Sequence, residues 1–216
     1  MINKGRKIFT VVLVVIIVVA VGLLGFLGYK YISAYFIDKE AEQVVDEFEN
    51  EFSSIITVAI DDENTQVNEE QPTTGNTVTT TKNVKHKGYD VIGTIKIPKT
   101  RISYPIVDDT SPRAMEVAIV MLYGPGLNQV GNTVIVGHNY RQGGFFGNNK
   151  KLENGDKIYI TDATGVKREY VVYNKYITTD SDFSYATRNT EGRREISLST
   201  CTSDASKRLV IWAKEN

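Results

Sequence analysis

The sequence predicts a mainly β domain, a barrel or a sandwich, set behind an N-terminal membrane-spanning helix. Three observations carry this. A long uncharged apolar run opens the chain. A polar, threonine-rich stretch separates that region from the rest. Beyond it, short alternating or β-branched runs succeed one another, with turn residues between them and few helical segments.

The apolar run extends from Ile8 to Tyr29 and follows Lys4, Arg6 and Lys7. As a helix it reaches about 33 Å at ~1.5 Å per residue, enough for a hydrocarbon core of about 30 Å. A cleaved signal has an apolar region of about 7–15 residues and a small-residue cleavage site. This run is longer and no such site follows, so an uncleaved anchor is expected. The basic residues hold the N-terminus inside the cell. Residues 1–31 are therefore read as a cytoplasmic tip and transmembrane anchor. Everything after Tyr31 is placed outside, in a single-pass protein of the cell membrane.

Residues 32–60 read as an amphipathic helical stalk. Ala41, Val44, Val45, Phe48, Phe52, Ile55 and Ile56 recur at three/four spacing, opposite an acidic face of Glu40, Glu42, Asp46, Glu47, Glu49 and Glu51. Such a face is repelled by anionic lipid. The stalk is expected to pack on the domain or on a second copy. Residues 61–88 hold almost no large apolar group and read as a flexible polar linker. His86 falls in this stretch and is expected to be a solvated surface residue.

The domain proper is assigned to residues 89–216. "DVIGTIKIP" and "RISYPIV" are short β runs broken at Pro98 and Lys99. "SPRAMEVAIVML" is expected to be one helix. "GNTVIVGHN" is a strand entered from a Gly-Asn turn. "FFGNNKKLENGDKIYIT" reads as a short helix, a turn and a strand, and "VKREYVVYNKYITT" as a long strand. "EISLSTC" and "RLVIWAK" are the last two strands.

Composition removes several functions. Charged residues make up 24% and the net charge is −1, which does not match the basic footprint of a nucleic-acid binder. A single cysteine excludes an intrachain disulfide and a cysteine-rich zinc site. The acidic residues Asp108, Asp109, Glu116 and Glu153 are scattered and read as solvated surface groups, so no metal or cofactor is expected.

Cys201 stands at the end of a strand, at a rim where side chains converge. A thiol there is either a small buried hydrophobe or a nucleophile. A nucleophile needs a base or a positive neighbour to supply thiolate. His138 ends the apolar strand "VIVGHN" and is the only histidine of the folded part. Gly137 before it permits an unusual backbone angle or a close approach. Arg208 opens the last strand, seven positions after Cys201. If 202–207 is a loop between neighbouring strands, its guanidinium lies close to Cys201. There it can bind substrate carbonyls or an oxyanion. Lys207 competes for that role without the planar fork.

The strand end "SLSTC", the upstream "VIVGHN" and the downstream "RLVIW" resemble the three signatures of sortases, membrane-anchored cysteine transpeptidases of Gram-positive bacteria. The family's Thr-Leu-x-Thr-Cys pattern stands here as Ser197-Leu198-Ser199-Thr200-Cys201, with Ser in the first place. The resemblance runs from Tyr89 to Asn216. It implies an eight-stranded β-barrel with short helices. It also implies that Cys201 attacks the carbonyl of Thr in a C-terminal sorting signal similar to Leu-Pro-x-Thr-Gly (LPXTG), giving a thioacyl-enzyme. An amine from a peptidoglycan precursor or a pilin lysine resolves that intermediate. His138 serves as acid and then base, Arg208 holds substrate or oxyanion, and Thr200 helps bind the substrate.

Pilin-polymerising class C enzymes carry an Asp-Pro-aromatic lid motif, which is not visible in residues 61–90, and often a second membrane segment, whereas this sequence stops at Asn216. The short segment Thr178 to Arg194 disfavours the long insertion of class B. The resemblance is therefore to class A or class D. Two rivals remain: a tethered cysteine protease that only hydrolyses, and an inert binding barrel in which Cys201 is unreactive.

Overall fold

The computed structural model describes residues 2–61, 84–140 and 144–216, with the side chains of 2–5, 7, 33, 34 and 52–61 outside the description. The expected linker falls mostly on residues 62–83, outside the described residues. The chain divides into two compact units, Met1–Lys39 and Glu40–Asn216. Helix α1 spans Ile2–Asp61. In the first unit its apolar side chains, Val11, Ile16, Leu24 and Phe26 among them, are exposed. The segment from Ile8 is long and apolar enough to cross a membrane.

The second unit is a β-barrel. Its strands are β1 (Lys85–His86), β2 (Tyr89–Ile97), β3 (Ile102–Val107), β4 (Ile119–Tyr123), β5 (Gly131–Val136), β6 (Lys157–Asp162), β7 (Lys167–Thr179), β8 (Arg194–Cys201) and β9 (Lys207–Glu215). They order as β1-β2-β3-β4-β5-β8-β9-β7-β6, and β2 also pairs with β6. That last pairing closes eight strands, β2 to β9, into the barrel that the sequence resemblance implied. Strand β1 is an extra hairpin arm on β2.

Closure follows from burial. Ile95, Ile97, Ile106, Ile119, Ile135, Ile158, Ile160, Leu198 and Ile211 alternate inward from seven strands into one core. Each contributes about 1.5–3 kcal/mol relative to an exposed side chain. Gly93 sits where β2 meets β6; a Cβ there would lie 2.4 Å from the Thr161 carbonyl oxygen.

Two local expectations fail. "SPRAMEVAIVML" is not one helix. Helix α2 covers only Pro112–Val117, capped by the Ser111 side chain, and β4 begins at Ile119. The run Val117–Val120 is rich in β-branched residues, which favour a strand, and the β3–β4 pairing takes it up. His86 is not solvated: it is 4% exposed, with Nε2 bonded to the Val117 carbonyl. Lys87 and Gly88 both have positive φ and form a two-residue turn between His86 and Tyr89. That turn folds the end of the expected linker back onto β2.

The stalk packs on the domain. Ala41 joins the main core, and Phe48 packs with Val44, Val84 and Val91. Glu49 accepts from Thr94 and Lys96, and Glu40 pairs with Lys87. Phe52, Ile55 and Ile56 lie among the residues whose side chains are not described.

Candidate active site

Strands β5 and β8 run parallel, in register from Gly131↔Arg194 to Val136↔Ser199. Parallel neighbours end at the same rim. Continuing the register by two places sets His138 level with Cys201, although 62 residues separate Asn139 from Cys201. Strand β9 returns antiparallel, with Arg208 directly opposite Cys201. The topology thus delivers all three side chains to one end of the barrel.

The geometry is fixed locally on each side. Arg208 Nη1 donates to Cys201 Sγ at 2.6 Å. The intervening turn is stapled by Asp204, which accepts from the Thr202 and Ser206 hydroxyls. Those hydrogen bonds hold the Asp204 carboxyl down at about 2. Asn139 Nδ2 donates to the Cys201 carbonyl at 2.8 Å, and Phe146 N–H donates to the His138 carbonyl at 3.0 Å. The His138 ring lies 5.4 Å from that of Tyr140, whose hydroxyl donates to the Glu116 carbonyl. Gly137 allows a close approach: a Cβ would stand 3.1 Å from Phe146 and 3.3 Å from Ile119.

Cys201, His138 and Arg208 line one cavity of about 250 Å³ with Met115, Leu122, Val136, Phe183, Tyr185 and Ser199. Its walls are mostly apolar, so water is partly excluded and a directed hydrogen bond gains strength. Cys201 and Arg208 are half-buried and His138 is exposed to the cleft.

Thr200 also borders the cavity, but its side chain belongs to the other face of β8. Leu198 and Ile196, two and four positions back, are in the core. Thr200 is 4% exposed and its hydroxyl donates to the Gly137 carbonyl at 2.7 Å. It ties β8 to the backbone just before His138.

The sequence reading missed Asn139, Tyr140, Ser199 and Tyr185. One signal was available for Ser199. Glu195, Ser197, Ser199 and Cys201 fall at period two, so the polar face of β8 was legible. The other contacts arise from tertiary folding of remote segments.

A rim cysteine flanked by an arginine thus shares one cleft of a closed eight-stranded barrel with a histidine. The chain belongs to the sortase family: the family's sortase domain matches residues 95–216. Solved structures agree. Sortase A from Corynebacterium diphtheriae, a lid mutant, is 28% identical with TM-score 0.54, over 59% of this chain and 71% of that one. The pilus-related sortase C of Group B Streptococcus is 29% identical with TM-score 0.53, over 58% and 67%. A Clostridium perfringens sortase D5 transpeptidase shares the fold at 22% identity, TM-score 0.58, over 83% and 98%. A search of curated proteins gave no match.

Proposed function

We propose that this chain is a membrane-anchored cysteine transpeptidase that cleaves a C-terminal sorting signal similar to Leu-Pro-x-Thr-Gly after Thr. With its proton passed to His138, Cys201 attacks the threonine carbonyl carbon through Sγ. The negative charge that develops on the oxygen is met by the Arg208 guanidinium, already seated against the sulfur. The C–N bond then breaks, and the leaving glycine amine takes a proton from His138. The acyl group remains on sulfur as a thioester. An incoming amine, from a peptidoglycan precursor or a pilin lysine, gives its proton to His138, attacks the thioester and frees Cys201.

The observation that carries this reading is the convergence of Cys201, His138 and Arg208 on one cavity. A role for Thr200 in substrate binding acts through the Gly137 carbonyl, which its hydroxyl holds. The 180–193 segment between β7 and β8 contains no helix, which supports a class A or class D type over class B. The helix from Ile8 serves as the anchor, with the N-terminus cytoplasmic and the barrel outside.

The test is mass spectrometry of the detergent-solubilised chain with a Leu-Pro-x-Thr-Gly peptide and a free amine, beside Cys201→Ala. Cleavage after Thr with the amine joined, absent in the variant, is the expected result. Release of free threonine carboxylate despite excess amine would identify a hydrolase. An intact peptide together with an unalkylated Cys201 would sink the catalytic reading.

A further inference from the structure

The outer face of β8 leads from Cys201 to a buried ionic cluster with no part in the chemistry above. Glu195 lies six residues back on that face and its side chain is 1% exposed. It is paired with Arg188, 11% exposed, and with Arg193. The Arg188 guanidinium is used on every side. Nη1 donates to Glu195 and, at 2.9 Å, to the Tyr173 hydroxyl. Nη2 donates to Asn132 Oδ1 at 3.0 Å, Nε reaches Ser197 Oγ at 3.4 Å, and the plane stands 4.7 Å from the Trp212 ring. Burial pushes the Glu195 carboxyl up, but hydrogen bonds from Tyr173, Arg188 and Arg193 outweigh it and leave it below the ordinary value.

Arg188 belongs to the 180–193 segment, and its partners belong to the barrel wall: Asn132 on β5, Tyr173 on β7, Glu195 and Ser197 on β8, Trp212 on β9. The same wall grips the segment's backbone. Asn132 Nδ2 donates to the carbonyls of Tyr185 and Ala186 at 2.9 and 3.0 Å. The Tyr185 hydroxyl then donates to Ser199 Oγ, two residues from the nucleophile. Phe183, 52% exposed, projects at the mouth of the catalytic cavity, whose wall Tyr185 also forms.

A buried ion pair seldom stabilises a fold more than apolar residues of the same volume would. Its strength is geometric: a planar fork admits one arrangement of partners. We propose that Arg188, pinned on Glu195 and Asn132, is a positioning residue that holds the 180–193 segment as the wall of the peptide cleft. It thereby sets affinity for the acyl-donor peptide without altering the reactivity of Cys201. This inference rests on the transpeptidase reading of the same cleft.

Three quantities are measured on the full chain in detergent: KM and kcat for the peptide, the alkylation rate of Cys201 by iodoacetamide, and amide exchange across 180–193. Arg188→Lys keeps the charge and loses the fork. It is expected to raise KM about tenfold, the equivalent of one lost charge-assisted hydrogen bond. Exchange at Tyr185–Thr190 rises, while alkylation stays at the wild-type rate. If Arg188→Lys does not fold, the pair Arg188→Met with Glu195→Met leaves no buried charge behind. It is expected to show the same rise in KM. A folded variant with wild-type KM and exchange overturns the proposal, as does alkylation slowed in step with KM. A wild-type protein that leaves both the peptide intact and Cys201 unalkylated defeats the transpeptidase reading instead. Loop exchange in Arg188→Lys then still decides whether the pin exists.

Discussion

His86 and His138 are the chain's two histidines, and they occupy opposite kinds of site. His86 is buried on β1, with Nε2 on the Val117 carbonyl at the end of α2 and Nδ1 buried without a partner among the described residues. His138 is exposed to a cavity, and its backbone carbonyl is held by the Phe146 N–H. Residue type and count do not separate the two. The difference is made by what surrounds the ring: burial closes His86 off from a substrate, whereas the rim that His138 shares with a thiol and a guanidinium suits the proton-transfer role proposed for it.

The largest separation between the two is expected in kcat. His138→Gln should lower kcat for peptide cleavage by about 10²–10⁴-fold, the usual worth of a positioned acid–base group. His86→Gln should leave kcat near wild type, because its side chain faces Val117 and not the cleft. Equal losses in stopped-assay rates would erase the distinction. Next in size is Arg208→Lys. An ammonium keeps the charge beside Cys201 but not the fork, and kcat should fall about 10²-fold, in line with loss of an oxyanion donor. An unchanged kcat with raised KM would move Arg208 from the oxyanion to ground-state binding.

The comparison also shows how far the sequence could be read. Cys201, His138 and Arg208 were legible because each stands at a strand end, and strand ends are visible in alternation and turn residues. The nearness of Arg208 to Cys201 was legible in the short 202–207 loop, whereas the arrival of His138 beside them was not, since it depends on β5 and β8 being parallel neighbours. His86 was misplaced for a physical reason. The polar composition of 61–88 describes an average, while the Lys87-Gly88 turn is a two-residue event that redirects the chain. The helix expected through Ile119 failed because β3 offers a partner that local periodicity cannot see. Arg188 and Glu195 carry no signal in the sequence that sets them apart from other charges, and tertiary packing buries both.

A smaller effect is expected at Thr200, on the face of β8 opposite Cys201. Thr200→Val removes the hydroxyl that holds the Gly137 carbonyl and leaves the methyl packing in place. The loss is about 1 kcal/mol of local stability, the net worth of one buried hydrogen bond. Released from that tie, the backbone before His138 should lower kcat a few-fold, by roughly the cost of a small misplacement of a catalytic group. Thermal melting with and without peptide checks this. A pure rise in KM at unchanged kcat would instead mean that Thr200 contacts the peptide.

The smallest effect concerns pH at the buried histidine. Burial holds the His86 imidazole below its ordinary 6.5, against the upward pull of the Val117 carbonyl and of Glu40; Lys87 adds to the lowering. The unfolded chain therefore takes up a proton before the folded chain does. The contribution of His86 to stability is complete above pH 6.5 and is lost as pH falls from there toward the lowered folded value. Protonation would place a charge on a ring whose Nδ1 has no acceptor among the described residues. The first part to loosen should be the junction of β1 with the stalk and α2. His86→Gln keeps a donor for Val117 and cannot titrate. Melting curves of the two proteins from pH 7.5 to 5.5 should diverge as pH falls, the wild type losing more. Parallel curves would mean that the junction admits water to Nδ1 and that His86 is no less solvated in effect than His138.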